Sequence, residues 1–588
     1  TYHEKKSKEM EIMTIMQEQR NILWHSSLHI LAVAVKRLFP GAKLGNGQVT
    51  DEGFFYDFDD LTVKASDLTL IQDEMEKIID EGIKYENKIL PIQLALNFFR
   101  NEPYKLQILQ RMDKNEKISL CSIGDFYDIC SQSHINNCEN IGAIKLLSIG
   151  GAYWMGNPKN QMFTRISGIA FETHEALNEF LTYSELMKKH DHRVIGKQLE
   201  LFSFHPQAPG SVFWHENGLI LRNLIISYWR KAHRKNGFRE ISTPILLDSS
   251  LWKQSGHWDH YKQSMYTTKI EDKEYAIKPM SCPGSILYYL EKSRSYRDLP
   301  LKVAELGLVH RNELSGTLHG LMRVRQFIQD DAHIFICPHQ LSEQIQQVIK
   351  MSVDMIGEFG FRDFSFAVSV RSSEKTGKYL GNDEQWERAE ATLKSSLEAL
   401  NYTYCISEGD AKFYGPSIDI MINDCLGRKW QCSTLQLDFN LPQRFELEYT
   451  DVQGKKQTPL MLHRTLLGSL ERFIGILLEH TKGQLPLWLS PIQAAVIPIS
   501  SKYSEYGNTI FRMLEEKSVR AVIIDSEESL SKRIRQTVLF KIPYIVVLGE
   551  REVSNSVISV RKADEDESSV YNIQEFIDYI KKVERYRI

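Results

Sequence analysis

His310–Ile336 reads HRNELSGTLHGLMRVRQFIQDDAHIFI, and the alternation inside it decides the fold of the middle of the chain. Taken as strand, polar loop and strand, its second strand covers residues 322–336. Arg323, Arg325, Phe327, Gln329, Asp331 and His333 then share one face, while Met322, Val324, Ile328, Ala332 and Ile334 mostly fill the other. Burying two guanidinium groups, a ring, an amide, a carboxylate and an imidazole on one sheet face is unfavourable unless a ligand satisfies them. The plain alternative, a strand whose polar face is merely wet, suits most alternating strands but not one this rich in ligand-type groups. Leu301–Leu308 supplies a strand just upstream. The runs are not spaced like βαβ units, so an antiparallel sheet is expected here.

Moving outward, Pro206, Pro209 and Gly210 punctuate the entry to this region, which runs to about Gly483. Upstream lie an amphipathic helix from about His25 to Leu38, ended by Pro40 and Gly41, and a mixed α/β region to about Phe171. A polar helix from roughly Glu175 to Lys189 leads out of it. Downstream of GQLPLWLSP, AAVIPIS, Tyr503–Glu516, RAVIID, a further helix, YIVVLG, VISVRK and Asn572–Tyr586 alternate as strands and helices. They form a small α/β domain of about a hundred residues, and it has no glycine-rich dinucleotide turn.

The chain has 588 residues, long enough for three or four domains, with no apolar run near the roughly 20 residues a membrane span needs. Its opening TYHEKKSKEM is charged, so no secretory signal is expected, and a start on Thr1 is what a fragment or processed chain would show. Eight scattered cysteines fit reduced thiols in a cytosol. A net charge of −4 means that any RNA must be met by local Lys and Arg patches.

In HSSLH, His25 and His29 lie one helical turn apart beside Ala32 and Lys36. Leu28, Leu31, Val35 and Leu38 form a stripe to one side, so the imidazoles are expected to border the core. DICSQSH supplies Cys130 and His134. Two histidines at i, i+4 with a cysteine and a histidine could form a zinc site by spacing alone, although most isolated HxxxH pairs are incidental.

The stretch His310–Ile336 resembles motif 2 of class II aminoacyl-tRNA synthetases, and of the threonyl family in particular. GFREISTPILLDSSLWKQSGHWDHY, with Pro244, is similar to motif 1 and its dimer interface, and LHRTLLGSLERFIGILLEH to motif 3. KPMSCPG, YGPSIDI and WQCSTLQLDFNLPQRFE continue the likeness in the family's order, over nearly the whole chain. The resemblance implies a multidomain α+β and α/β protein: an N-terminal α+β editing domain (1–173), a linker helix (174–196), a class II antiparallel-sheet catalytic core (197–487) and a C-terminal α/β anticodon-binding domain (488–588). By the same resemblance, the family's small N-terminal ubiquitin-like module is not expected in this sequence. The implied activity is ATP-dependent formation of threonyl-adenylate and transfer of threonine to the 3′ end of tRNA(Thr), by a cytoplasmic homodimer.

By that resemblance Arg311 holds the α-phosphate of ATP, Arg472 the γ-phosphate, Phe327 stacks on adenine and Glu313 belongs to the same pocket, with Mg²⁺ accompanying ATP. Guanidinium forks match phosphate oxygens and offset charge as the α-phosphorus is attacked. Cys282, His333 and His463 are implied to bind one zinc ion per subunit. They are far apart in sequence, so spacing alone would not reveal them. Asp331, with Gln329 and Gln431, is expected to receive threonine. Valine brings no hydroxyl and is rejected, whereas serine lacks only a methyl, worth roughly 1–3 kcal/mol, and calls for a second sieve.

The N-terminal region, including GAYWMGNPKNQMFTRISGIAF, resembles the editing domain shared by threonyl- and alanyl-tRNA synthetases. His25, His29, Asp128, Cys130 and His134, with Lys105, are implied to hydrolyse mischarged seryl-tRNA(Thr) by positioning water and the ester, without a metal. Departures bear on both sites. Ser131, Gln132 and Ser133 replace the family's Arg-Gly-Pro, which removes a basic residue beside a tRNA-end site. Ser281, Ser285 and Ser417 stand where Asn, His and Lys are usual. In the last domain Lys532, Arg533, Arg535 and Lys541 either meet phosphates or form a solvated helix face, and the acidic ADEDESS opposes RNA nearby. Three readings follow: a ligase with proofreading, a ligase with a decayed editing site, and a non-catalytic threonine or tRNA sensor. Retention of both phosphate-binding arginines, the metal ligands and Asp331 argues against the sensor.

Overall fold

The computed structural model describes the chain except residues 1, 51, 114–115, 158, 373–378, 426, 526, 566 and 587–588, and the side chains of 2–17, 260 and 585–586. It divides into two compact units, Thr1–Leu186 and Met187–Ile588.

In the first unit, the helix Tyr2–Leu38 packs on a four-stranded antiparallel sheet ordered Lys43–Thr50, Gly53–Asp59, Met162–Phe171, Ala143–Tyr153. A smaller antiparallel sheet comprises Tyr85–Pro91, Lys117–Ile123 and Phe126–Ile129. The helix differs from the expected amphipathic one. It starts further upstream, and Leu23–Val35 is buried on every side, with Trp24 Nε1 donating to Ala170 O at 2.8 Å. His25 and His29 are therefore enclosed rather than at the border of the core. The stripe Leu28, Leu31, Val35 is real, but strands and loops also cover the polar side of the helix.

The second unit is built on an eight-stranded sheet. Its order is Arg239–Glu240, Leu301–His310, Gln326–Ile336, Leu460–Thr465, Lys429–Asp438, Ser417–Asn423, Phe364–Val370, Tyr404–Glu408. The six inner strands are antiparallel, as the spacing predicts, and only the outermost pairs are parallel. On Gln326–Ile336 the even-numbered Ala332, Ile334 and Ile336 join one buried cluster with Trp229, Ile349, Leu393 and Phe473 from four helices. The odd-numbered residues are thereby turned to the opposite face.

This strand begins at Gln326, four residues later than its alternation suggests. The preceding turn ties Arg323 to His319, and Arg325 Nε donates to Glu313 O at 2.9 Å. Arg325 thus braces the loop instead of sharing the ligand face.

Towards the C-terminus a five-stranded sheet is ordered Ala521–Ile523, Ala494–Pro498, Tyr544–Leu548, Ile558–Lys562, Ser568–Tyr571, the first three parallel and the last two antiparallel. The final strand and the short helix Glu550–Asn555 are additions to the pattern read from sequence. Arg533 is not part of an exposed basic face. It is buried, with its guanidinium donating to the carbonyls of Pro498, Ile499, Ile524 and Glu528.

Candidate active site

Strand register assembles the site. His333 pairs with His463, His463 with Gln436, and Gln436 with Ser417, a row running across four strands. The His333 and His463 rings lie 5.0 Å apart. Cys282, at the start of the helix Cys282–Leu290, completes a buried trio whose possible ligand atoms all lie within 4.8 Å of one another. Each imidazole is anchored through one nitrogen: His333 Nδ1 lies 2.8 Å from Ser285 Oγ, and His463 Nε2 lies 2.8 Å from Asp438 Oδ2. The other nitrogen of each ring is left for a ligand. Burial, then the neighbouring His463 and Arg464, hold His333 well below its ordinary pKa and so neutral. Burial, with Asp331 and Asp438, pushes the Cys282 thiol up, so it ionises only with a cation beside it. One such thiolate and two anchored imidazoles are a donor set that fits zinc.

These residues open onto a cavity of about 630 Å³, lined also by Arg311, Glu313, Phe327, Gln329, Asp331, Gln431 and Arg472. Every core residue expected from the sequence is therefore brought to one space. Arg311 lies 5.1 Å over the Phe327 ring, with Nη2 3.4 Å from Gln329 Oε1. Glu313 is gripped by Arg323 at 2.9 Å. Arg472 rises from the helix Leu470–His480, whose cap Ser469 accepts its backbone N–H. Its guanidinium sits 5.8 Å over Trp430, and its buried Nε has no hydrogen-bond partner among the described residues. Burial pushes the Asp331 carboxyl up to about 6.

Gln431 lines the rim rather than the floor. It is exposed, and its amide donates to Asp419 Oδ1 at 2.6 Å, because the register slips at Cys432. Gln436 is the glutamine on the row with His463, and it accepts a hydrogen bond from the Tyr414 hydroxyl. Both line the cavity, and both were missed. The alternation of Thr434, Gln436 and Asp438 was the available signal. Two serine departures are absorbed locally: Ser285 orients His333, and Ser417 Oγ donates to Asp419 at 3.2 Å.

The first unit holds a second cluster, which unites all the sequence candidates. His25 Nε2 lies 3.0 Å from Cys130 Sγ, His29 Nε2 3.3 Å from His25 Nε2, and His134 Nε2 3.5 Å from Cys130 Sγ. Behind them Asp128 meets His29 Nδ1 at 3.3 Å and Lys105 at 2.5 Å, and accepts from Tyr56 at 2.6 Å. Burial lowers His25 to about 3 and His134 to about 4. Burial opposes charge on His29 too, but its bonds to Asp128 and Cys130 outweigh that and raise its pKa. Ser131, Gln132 and Ser133 are exposed.

A class II synthetase is what this sheet and cavity define. Residues 266–481 match the family described as "tRNA synthetase class II core domain (G, H, P, S and T)", and residues 493–583 match an anticodon binding domain. The chain is 46% identical to the threonine–tRNA ligase of Caldanaerobacter subterraneus subsp. tengcongensis over 98% of its own length and 89% of the relative's. It is also 46% identical to that of Clostridium acetobutylicum, over 97% and 89%. Among solved structures it is similar to the RNA binding domain of threonyl-tRNA synthetase from Cryptosporidium parvum Iowa II. That likeness has a TM-score of 0.64 and 39% identity, covering 67% of this chain and 98% of the other. The chain belongs to the threonine–tRNA ligase family. It charges tRNA with threonine, using ATP with Mg²⁺, which sets aside the sensor reading. No helix among the described residues is long and apolar enough to cross a membrane.

Proposed function

We propose that the cavity makes threonyl-adenylate, with Arg311 on the α-phosphate, Arg472 on the γ-phosphate, Phe327 against adenine and Glu313 holding the loop through Arg323. The observation that carries this reading is the convergence of both arginines on one cavity, with the buried Arg472 Nε unpartnered among the described residues. Fixed guanidinium groups offset the charge that develops on the phosphates and hold the α-phosphorus in line with the threonine carboxylate. Cys282, His333 and His463 would hold one zinc ion per subunit, which when bound supplies a Lewis acid toward the amino and hydroxyl groups of threonine. Asp331 receives the threonine hydroxyl, helped by Gln329 and, from the rim, Gln431. A valine in this place would leave a buried carboxyl unpaired, the kind of defect that discriminates strongly; serine would not.

The second cluster is proposed to clear seryl-tRNA(Thr). Neutral His25 and His134 can accept a proton from water, His29 can donate one, and Lys105 with Asp128 fixes His29. No metal is assigned there. The exposed Ser131–Ser133 segment, without a basic residue, favours a second reading in which this site docks tRNA weakly and edits poorly. Residues 1–173, 174–196, 197–487 and 488–588 are taken as editing domain, linker, catalytic core and anticodon-binding domain. Pairing of two copies through the segment around Pro244 and a place in the cytoplasm complete the proposal. Unpaired cysteines are in keeping with the latter.

Amino-acid-dependent ATP–pyrophosphate exchange tests the catalytic reading. Threonine and serine should both support exchange, and valine should not. Exchange with valine comparable to that with serine would remove Asp331 and the metal from the selection.

A further inference from the structure

Behind the nucleotide walls lies a buried network that the reaction does not touch. His192 opens the short helix His192–Gln198 and is fully enclosed. Its Nδ1 lies 2.6 Å from Glu479 Oε1, its backbone N–H donates to the same oxygen at 3.0 Å, and its Nε2 meets the backbone N–H of Leu321 at 2.9 Å. A backbone N–H can only donate, so Nε2 accepts and Nδ1 carries the proton. Both ring nitrogens are thus engaged. Although possible ligand atoms of Asp191, His192 and Glu479 lie within 4.8 Å of one another, no imidazole lone pair remains for a metal. Leu321 follows Gly320, whose φ is +47° and where a Cβ would come 2.1 Å from His192 Nε2. The loop reaches the imidazole only because that residue is glycine.

From Glu479 the network continues to the far wall. Glu479 Oε2 meets Arg428 Nη2 at 2.5 Å, Arg428 Nε donates to Asp424 Oδ2 at 2.6 Å, and Trp430 Nε1 donates to the same oxygen at 2.9 Å. Trp430 is the ring under Arg472. Burial disfavours charge on Glu479, but its bonds to His192 and the charge of Arg428 outweigh it and keep the carboxyl below its usual range. Both branches end in the cavity: one through Leu321 at Met322 and Arg323, the other at Trp430 and Arg472.

We propose that His192 is a positioning residue for ATP, holding the turn that carries Arg323 and, through Glu479, Arg428 and Asp424, the tryptophan beneath Arg472. The proposal rests on the reading of Arg472 as a phosphate contact. None of these network bonds reaches Cys282, His333, His463 or Asp331, so the threonine end should feel little.

The test is steady-state threonine activation by the full chain in His192→Ala, Arg428→Ala, Arg472→Ala and the double variant Arg428→Ala/Arg472→Ala, with thermal unfolding measured alongside. Arg428 is partly exposed, so its variant tests the network even if His192→Ala fails to fold. His192→Ala and Arg428→Ala should each raise KM for ATP by about tenfold and leave KM for threonine within about twofold. The double variant should lose less than the product of the single effects, because Arg428 acts through Arg472. An unchanged KM for ATP in Arg428→Ala, or effects that simply multiply, would overturn the proposal. An Arg472→Ala enzyme with normal KM for ATP would instead overturn the reading of the pocket on which it rests.

Discussion

Among the described residues are two histidine–cysteine clusters made from the same side-chain types, and they are backed differently. In the catalytic cavity, His333 and His463 are each held by one nitrogen, from Ser285 and Asp438, and Cys282, with Sγ 3.5 Å from His257 Nε2, is a thiol that burial keeps protonated. In the first unit, His25, His29, Cys130 and His134 contact one another, and behind them an ammonium group is pressed against Asp128. Anchoring from behind frees a ring nitrogen for a shared ligand. The four donors of the second cluster also lie within 4.8 Å of one another, and His29 too is anchored, by Asp128, but the Lys105 ammonium group behind them opposes a divalent cation. Donor type alone therefore does not define a metal site; what stands behind each donor does.

Breaking the first cluster should have the largest effect. Cys282→Ser is expected to abolish zinc retention and to slow threonine activation on the order of a thousandfold, the scale of several kcal/mol of lost polarisation. Metal analysis and pyrophosphate exchange measure the two losses, and a zinc-free variant with normal exchange would contradict the metal's role. His29→Ala should lower hydrolysis of seryl-tRNA(Thr) by about a hundredfold, in the range of a lost proton-transfer group, while threonine charging stays within about twofold. Equal damage to both activities would erase the contrast between the two clusters. Asp438→Asn keeps an acceptor for His463 but removes its charge, so zinc affinity measured by chelator competition should fall by about tenfold with folding intact.

The smallest effect is on stability against pH. His25 and His134 are depressed to about 3 and about 4. The folded chain keeps them neutral while the unfolded chain binds protons below its ordinary value near 6.5. Their contribution is complete above 6.5 and is lost as pH falls towards 4. His29, raised by Asp128, acts the other way: its contribution is complete below the unfolded value and is lost as pH rises through the folded one. Two against one, the first unit should melt a few degrees lower at pH 5 than at pH 7, on the order of a kcal/mol. His134→Asn should flatten that slope, and a slope unchanged by it would mean that His134 is not held neutral.

How much of this was legible in the sequence depended on whether a feature lived within one element. The alternation of Phe327, Gln329, Asp331 and His333 was readable because a strand fixes its own two faces. Arg325 obeys the same parity yet faces the loop, because a turn dictated by Gly320 and the bond between Arg325 and the Glu313 carbonyl precedes the strand. Cys282, His333 and His463 could not be joined by spacing, since cross-strand register brings two of them together and a helix start brings the third. Only the family resemblance linked them. Gln436 could not be picked out from the sequence, because the slip at Cys432 is invisible in a string of letters. The burial of His25, His29 and Arg533 was likewise hidden, because periodicity reports one apolar face and not what a neighbouring element lays over the other.

Charging tRNA(Thr) with serine and with threonine, followed by the decay of each ester, tests the central claim most directly: that serine passes the cavity and is removed at the second cluster. Both amino acids should be activated, threonyl-tRNA should persist, and seryl-tRNA should be lost rapidly in the parent chain but persist in His29→Ala. Seryl-tRNA that persists equally in both would contradict it and leave a ligase with one working site.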